Sequence, residues 1–211
     1  MKKLITIILT LALVLSFTAC GNEGNSAESN NKGKNKNNNS SYDIIQFGGY
    51  NWRVLEVRDE KILIIRENLL DRKPLTYHKD GSSITWENSS IRNYLNNEYF
   101  NNAFTLEEQT RIIETTVINE NNAISDIAGG NDTTDKIFLL SINEAKSYFS
   151  NEVLRIAYYA NGEDSSWWLR SPGYIGDNHA AVVYADGRIG SSGIYVSNYG
   201  IGIRPALWLN L

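Results

Sequence analysis

Trp167-Trp168-Leu169-Arg170-Ser171-Pro172-Gly173 opens, and Gly202-Ile203-Arg204-Pro205-Ala206-Leu207-Trp208-Leu209-Asn210-Leu211 closes, the stretch that decides how this chain folds. Three of the five tryptophans lie in it, beside two arginine-proline turns. Large rings and tight turns together predict a core region. Between the blocks, Ala180 to Tyr184 and Arg188-Ile189 flank Asp186-Gly187. An Asp-Gly pair between apolar runs predicts a β-hairpin with a type I′ turn, because that turn needs positive φ at both central residues.

Working outward, Ile44 to Phe47, Tyr50 to Val57 and Lys61 to Ile65 read as three short strands, separated by Gly48-Gly49 and Arg58-Asp59-Glu60. Leu69 to Ser83 reads as loop. A polar cap at Asn88 to Ser90 precedes Ile91, Tyr94 and Leu95 at helical spacing. Thr105 with Glu108, and Ser141 with Glu144, are capping boxes that start two more helices, the first read as continuing through Ile112 and Ile113. Ala123 to Asp135 is a polar loop leading to Lys136 to Leu140, an expected strand. Strands, then helices, then strands predict an α+β fold, a mainly antiparallel sheet with about three helices to one side.

The first fifth of the chain has a different character. Met1-Lys2-Lys3 and the apolar run Leu4 to Phe17 are too short together for a bilayer span and match a signal peptide over residues 1–19. Phe17-Thr18-Ala19-Cys20-Gly21 resembles a bacterial lipobox, which implies lipidation of Cys20, the one cysteine of the chain, and anchoring to the outer face of the cell membrane. Residues 20–41 are Asn, Ser, Gly, Lys and Glu with no apolar side chain beyond Ala and Cys20, a disordered tether of roughly 25 Å reach. Residues 42–211 form the single expected domain.

Composition excludes several functions. Without Lys2 and Lys3 the chain has 18 basic against 24 acidic residues, a poor surface for nucleic acid. With two histidines, His78 and His179, and no second cysteine, three-histidine and thiolate metal centres are ruled out, and no Gly-x-Ser-x-Gly elbow accompanies Ser171. Neither a cofactor nor a resident metal is expected. Asp126, Asn131, Asp132 and Asp135 are hard oxygen donors, but their spacing is not that of an EF-hand, and Asx turns account for them. Arg170 and Arg204 are expected to fix the core through buried carboxylates or carbonyls.

That leaves two loops of the terminal block. Tyr174, Asp177, Asn178 and His179 lie in one, and Tyr195, Asn198 and Tyr199 in the other. Tyr and Asn at the ends of a rigid sheet make a low-entropy recognition surface; the alternative is that the tyrosines pack on the sheet. Asp164 and Asp177 flank the block and are the carboxylate pair to test for glycan hydrolysis.

Trp86 to Asn96, Asp135 to Ser141, Trp167 to Gly173 and Gly202 to Leu211 together resemble the bacterial family called domain of unknown function 6273, over nearly all of Tyr42 to Leu211. The order of a tryptophan-led helix, Leu140 to Ala145, Trp-Leu-Arg and Gly-Ile-Arg-Pro is also similar to the formylglycine-generating-enzyme and C-type-lectin-like superfamily. This second resemblance implies a lectin-like fold whose last strand, Ile201 to Leu209, lies beside the first strands near Ile44 to Trp52. The catalytic cysteines of that enzyme and the Trp-Asn-Asp calcium motif of lectins are missing here. The resulting expectation is a lipid-anchored extracellular binding module without catalytic activity, taking a carbohydrate or protein ligand. The alternatives are a hydrolase of envelope glycans and an accessory lipoprotein.

Overall fold

Gly48 and Gly49 turn the first hairpin. Their φ values of 58° and 73° are those of a type I′ turn, which joins β1 (Ile44–Phe47) to β2 (Tyr50–Arg58). Asp59 and Glu60, at φ 49° and 62°, repeat the turn without glycine and lead into β3 (Lys61–Arg66). The computed structural model describes residues 42–70, Tyr77 and 84–211; the expected signal peptide, Cys20, the expected tether and His78 lie outside the described residues.

The chain's last strand, Ala206–Asn210, joins the same sheet antiparallel to β3, with Ile112–Ile113 on its other side. Its neighbour is therefore Lys61–Arg66 and not Ile44–Trp52, because the tight Asp59-Glu60 turn folds β3 between them. Numbered in chain order, β4 is Ile112–Ile113, β5 Thr115–Val117, β6 Thr133–Asp135, β7 Trp167–Pro172, β8 His179–Val183, β9 Ile189–Tyr195 and β10 the last strand. They form three sheets: β1-β2-β3-β10-β4, β5-β6 and β7-β8-β9, all with antiparallel pairings.

Helices occur where the caps predict them. Ser89 accepts from the Arg92 amide and starts α1 (Ser90–Tyr94), which continues through one π-helical turn at Leu95–Tyr99 into α2 (Phe100–Ala103). Both capping boxes form, at α3 (Leu106–Arg111) and α4 (Ile142–Tyr148). A fourth helical segment, α5 (Glu152–Arg155), is capped by Asn151. Two expectations fail locally. α3 stops at Arg111, and Ile112 and Ile113 pair with Leu209 and Trp208 instead of extending a helix face. The strand expected at Lys136 to Leu140 sits earlier, at β6, while Phe138 makes only a bridge to Ala206. The Leu139 and Leu140 carbonyls are engaged by Arg170 instead of by a strand ladder. Among the described residues no helix is long and apolar enough to cross a membrane.

The core is aromatic. All five tryptophans are buried, and Phe104 packs against Phe47, Trp52, Tyr99 and Phe100 at centroid distances of 5.2 to 6.4 Å. The two ends of the opening stretch touch: Trp167 bridges Gly202, whose carbonyl accepts from the Trp168 amide at 3.0 Å. Arg204 is fully buried, donating to the Arg66 carbonyl at 2.8 Å and lying over the Trp167 and Phe149 rings. Burial pushes its guanidinium down to about 9, Arg53 reinforces this, and the Glu67 carboxylate opposes it. These contacts give Arg170 and Arg204 the core-fixing positions expected of them.

Candidate functional site

The β8–β9 hairpin closes around Tyr184 to Arg188. The Gly187 amide donates to the Tyr184 carbonyl, and the Tyr184 amide to the Arg188 carbonyl. Of the central residues only Gly187 has positive φ, 84°, so this is a type I turn followed by a left-handed glycine and not the type I′ turn expected. A Cβ on Gly187 would lie 1.9 Å from the Glu152 carbonyl, which explains why the longer turn carries glycine there.

At the opposite end of this sheet the two candidate loops meet. The Tyr174 amide donates to the Ser191 carbonyl at 3.0 Å, the Val196 amide to the Asn178 carbonyl at 3.0 Å, and the Gly173 amide to the His179 carbonyl at 2.7 Å. His179 and Tyr195 are paired across β8 and β9, with their rings edge to face at 5.5 Å. His179 Nδ1 lies 2.8 Å from Asn178 Oδ1. Backbone hydrogen bonds thus fix loops separated by some twenty residues in sequence, leaving side chains free to project.

Tyr174, Tyr195 and Tyr199 are exposed by 38, 44 and 64%, which favours presentation over packing for Tyr199 and divides the surface of the other two. Asp177 is exposed, Asn178 and His179 are partly buried. Asn198 is used locally, its side chain accepting from the Gly200 amide at 2.7 Å. Ile175, which sequence reading passed over, is 58% exposed beside Tyr174.

A cleft of about 60 Å³ adjoins this surface, lined by Glu120, Asn122, Ile124, Asn143, Lys146 and Ser191 among others. Ser191 belongs to both, since its carbonyl also accepts from Tyr174. Asn122 is buried and donates to the Pro172 carbonyl at 2.8 Å, tying the Asn119 to Asp132 loop to the end of β7. The cleft draws on this loop, on α4 and on two strands. Only the polar run Asn119 to Asn122 hinted at it in sequence, since its walls are far apart along the chain.

The other candidate groups have structural partners. Asp135 has a fully buried side chain and accepts from Arg92 Nε, Trp86 Nε1 and Thr133 Oγ1 at 2.6 to 2.9 Å. Asp132 accepts from the Asn119 amide, and Asp126 from Asn121. These oxygens hold the loop together, and among the described residues no group of three His, Cys, Asp or Glu converges as a metal site. Asp164 bridges Tyr158 through its backbone, and the Asp177 carbonyl accepts from the Ile84 amide; both residues are exposed and no hydrogen bond joins them.

No curated protein and no solved structure matches the chain. The model of the family described as domain of unknown function DUF6273 matches residues 59–211, most of the chain and the whole of both candidate loops, and the chain belongs to that family.

Proposed function

We propose that this chain is an exported, lipid-anchored binding module, held to the outer face of the cell membrane through Cys20, whose ligand surface is the loop end of the β7-β8-β9 sheet. One observation carries this reading: seven residues of two distant loops share one backbone-braced end of a sheet, with tyrosines exposed beside a polar cleft. Flat rings and amides on a rigid support recognise hydroxyl-rich or extended ligands at low entropic cost. Carbohydrate is the favoured class, because Tyr174, Tyr195 and Tyr199 offer ring faces while the exposed Asn143 and Lys146 supply polar groups in the cleft. The C-type-lectin-like element of the reading called for the last strand beside Ile44 to Trp52; that strand pairs with β3 and β4 instead, so the lectin-like element gains no support from the sheet. The binding role does not depend on it.

The test is to incubate the purified full-length chain with peptidoglycan, sediment the polymer and assay both fractions. A binder sediments with the polymer and leaves it intact. Soluble glycan fragments would instead establish the hydrolase alternative, and a chain left wholly in the supernatant would remove envelope glycan as the ligand.

A further inference from the structure

Buried cations elsewhere in this domain are matched. Arg170 meets the Glu144 carboxylate, Arg204 lies 3.9 Å from the Glu67 carboxylate, and Arg155 donates to the Gly187 and Phe149 carbonyls. Arg66, 8% exposed, is different. No carboxylate among the described residues pairs with it, and its Nε has no hydrogen-bond partner. Its Nη1 donates to the Tyr99 hydroxyl at 3.3 Å, and the guanidinium stacks on the Tyr50 ring at 3.9 Å. Leaving a buried donor unmet costs about 1 to 3 kcal/mol, so its retention asks for an explanation.

The same arginine lines a cavity of about 190 Å³ with Tyr50, Leu70, Tyr94, Tyr99 and Asn102. That is room for several water molecules. Among the described residues Arg66 is the one charged side chain in this lining. The π-helical turn Leu95–Tyr99 forms part of the wall, bringing Tyr99 to the guanidinium, and such turns recur at functional sites. Stacking on Tyr50 covers a face of the guanidinium and leaves its in-plane N–H donors as the means of recognition, an arrangement that suits a planar, doubly accepting group.

We propose that this cavity is a binding site for a small carboxylate, whose oxygens pair with the terminal Nη groups of the guanidinium and whose body lies between the tyrosine rings and Leu70. The carboxylate belongs either to a free small acid or to the end of a peptide. The site lies apart from the β7–β9 loops, and its occupant is independent of theirs.

Calorimetry and amide-shift titration of the full-length chain with benzoate, N-acetylalanine, inorganic phosphate and the neutral control benzamide test this. Benzoate alone binding points to free acids; N-acetylalanine binding points to peptide ends. In either case Arg66→Lys, which keeps charge but loses the fork, weakens binding about tenfold, the worth of one charge-assisted hydrogen bond. Asn102→Trp, at an exposed position of the cavity wall, blocks the cavity without touching the guanidinium and abolishes binding while the amide spectrum stays folded. The proposal is overturned if no carboxylate binds at tens of millimolar, if benzamide matches benzoate, if phosphate alone binds, or if Asn102→Trp binds as the wild type does.

Discussion

Arg170 of β7 grips both oxygens of the Glu144 carboxylate, the same carboxylate that caps α4 by accepting from the Ser141 amide at 2.8 Å. One side chain therefore serves as the capping-box acceptor and as the counter-ion of an arginine whose own side chain is 4% exposed. Replacing it with glutamine keeps an oxygen that can accept from the Ser141 amide, so the helix stays capped, but it removes the charge that balances buried Arg170. Because Glu144 is about one-third exposed, water softens the loss, and Glu144→Gln is expected near the lower end for buried pairs, about 3 kcal/mol. Thermal unfolding of such a domain would shift down by roughly 10 °C. Arg170→Met with Glu144→Gln should cost less than the two single changes together, and additivity in that cycle would show that the pair does not act as a unit.

The turn at Asp59-Glu60 carries strain that the turn at Gly48-Gly49 avoids. Left-handed φ costs an ordinary side chain about 1 to 2 kcal/mol, and both Asp59 and Glu60 adopt it. Asp59→Asn with Glu60→Gly should raise stability by about 1 kcal/mol in urea unfolding with an unchanged denaturant slope. A neutral result would mean that strand pairing of Arg58 with Lys61 does not fix these angles. Gly48→Ala should do the reverse, since a Cβ there would lie 2.6 Å from the Phe104 ring in a position of φ 58°.

What the sequence revealed of this fold was local chemistry: the Ser141 and Thr105 boxes, the glycine turn, the Asp186-Gly187 hairpin. Each is decided within four or five residues. Ile112 and Ile113 were misread because their helical spacing after Thr105 is real, yet the exposed edge of β10 offered Trp208 and Leu209 as partners. Leu106, at the start of the same helix, is 81% exposed, so that helix lacks the buried face its pattern implied. The candidate loops were visible as clusters of Tyr and Asn. Their meeting was not, because it depends on the Asn178 to Val196 backbone bond, and main-chain partners leave no mark in side-chain pattern. Likewise nothing near Arg66 in sequence announces that Tyr50 and Tyr99 enclose it.

Four tyrosines make the fold sensitive to alkali. Burial raises Tyr42, Tyr77, Tyr99 and Tyr148 above the ordinary phenol value, Tyr99 to about 12, and at Tyr148 the Glu56 carboxylate that accepts its hydroxyl at 2.7 Å adds to this. The folded state thus favours the neutral phenol. Its contribution is complete below the unfolded value near pH 10 and is lost as pH rises towards 12. Phenolate absorbance should show these four tyrosines ionising only together with loss of the near-ultraviolet circular dichroism. Ionisation of all tyrosines in one step near pH 10, with the fold intact, would contradict this burial.

The surface and the scaffold of the candidate site should separate by mutation. Tyr174, Asn178 and Tyr199 project from braced backbone, so replacing all three with alanine removes side chains and leaves the braces, and surface changes of this kind each cost about 0.5 kcal/mol or less. Gly193 is the contrasting position. It has φ 84°, and a Cβ there would lie 2.8 Å from the Gly173 Cα and 2.9 Å from the Ala180 carbonyl, so Gly193→Ala forces β9 away from β8. It should lose at least ~2 kcal/mol through backbone strain and clash. If the loops bind peptidoglycan, the triple variant abolishes sedimentation with the polymer at nearly unchanged melting temperature, whereas Gly193→Ala lowers the melting temperature and binding together. Sedimentation retained by the triple variant would place the glycan surface elsewhere on the domain, while a large fall in its melting temperature would mean that these side chains pack the sheet.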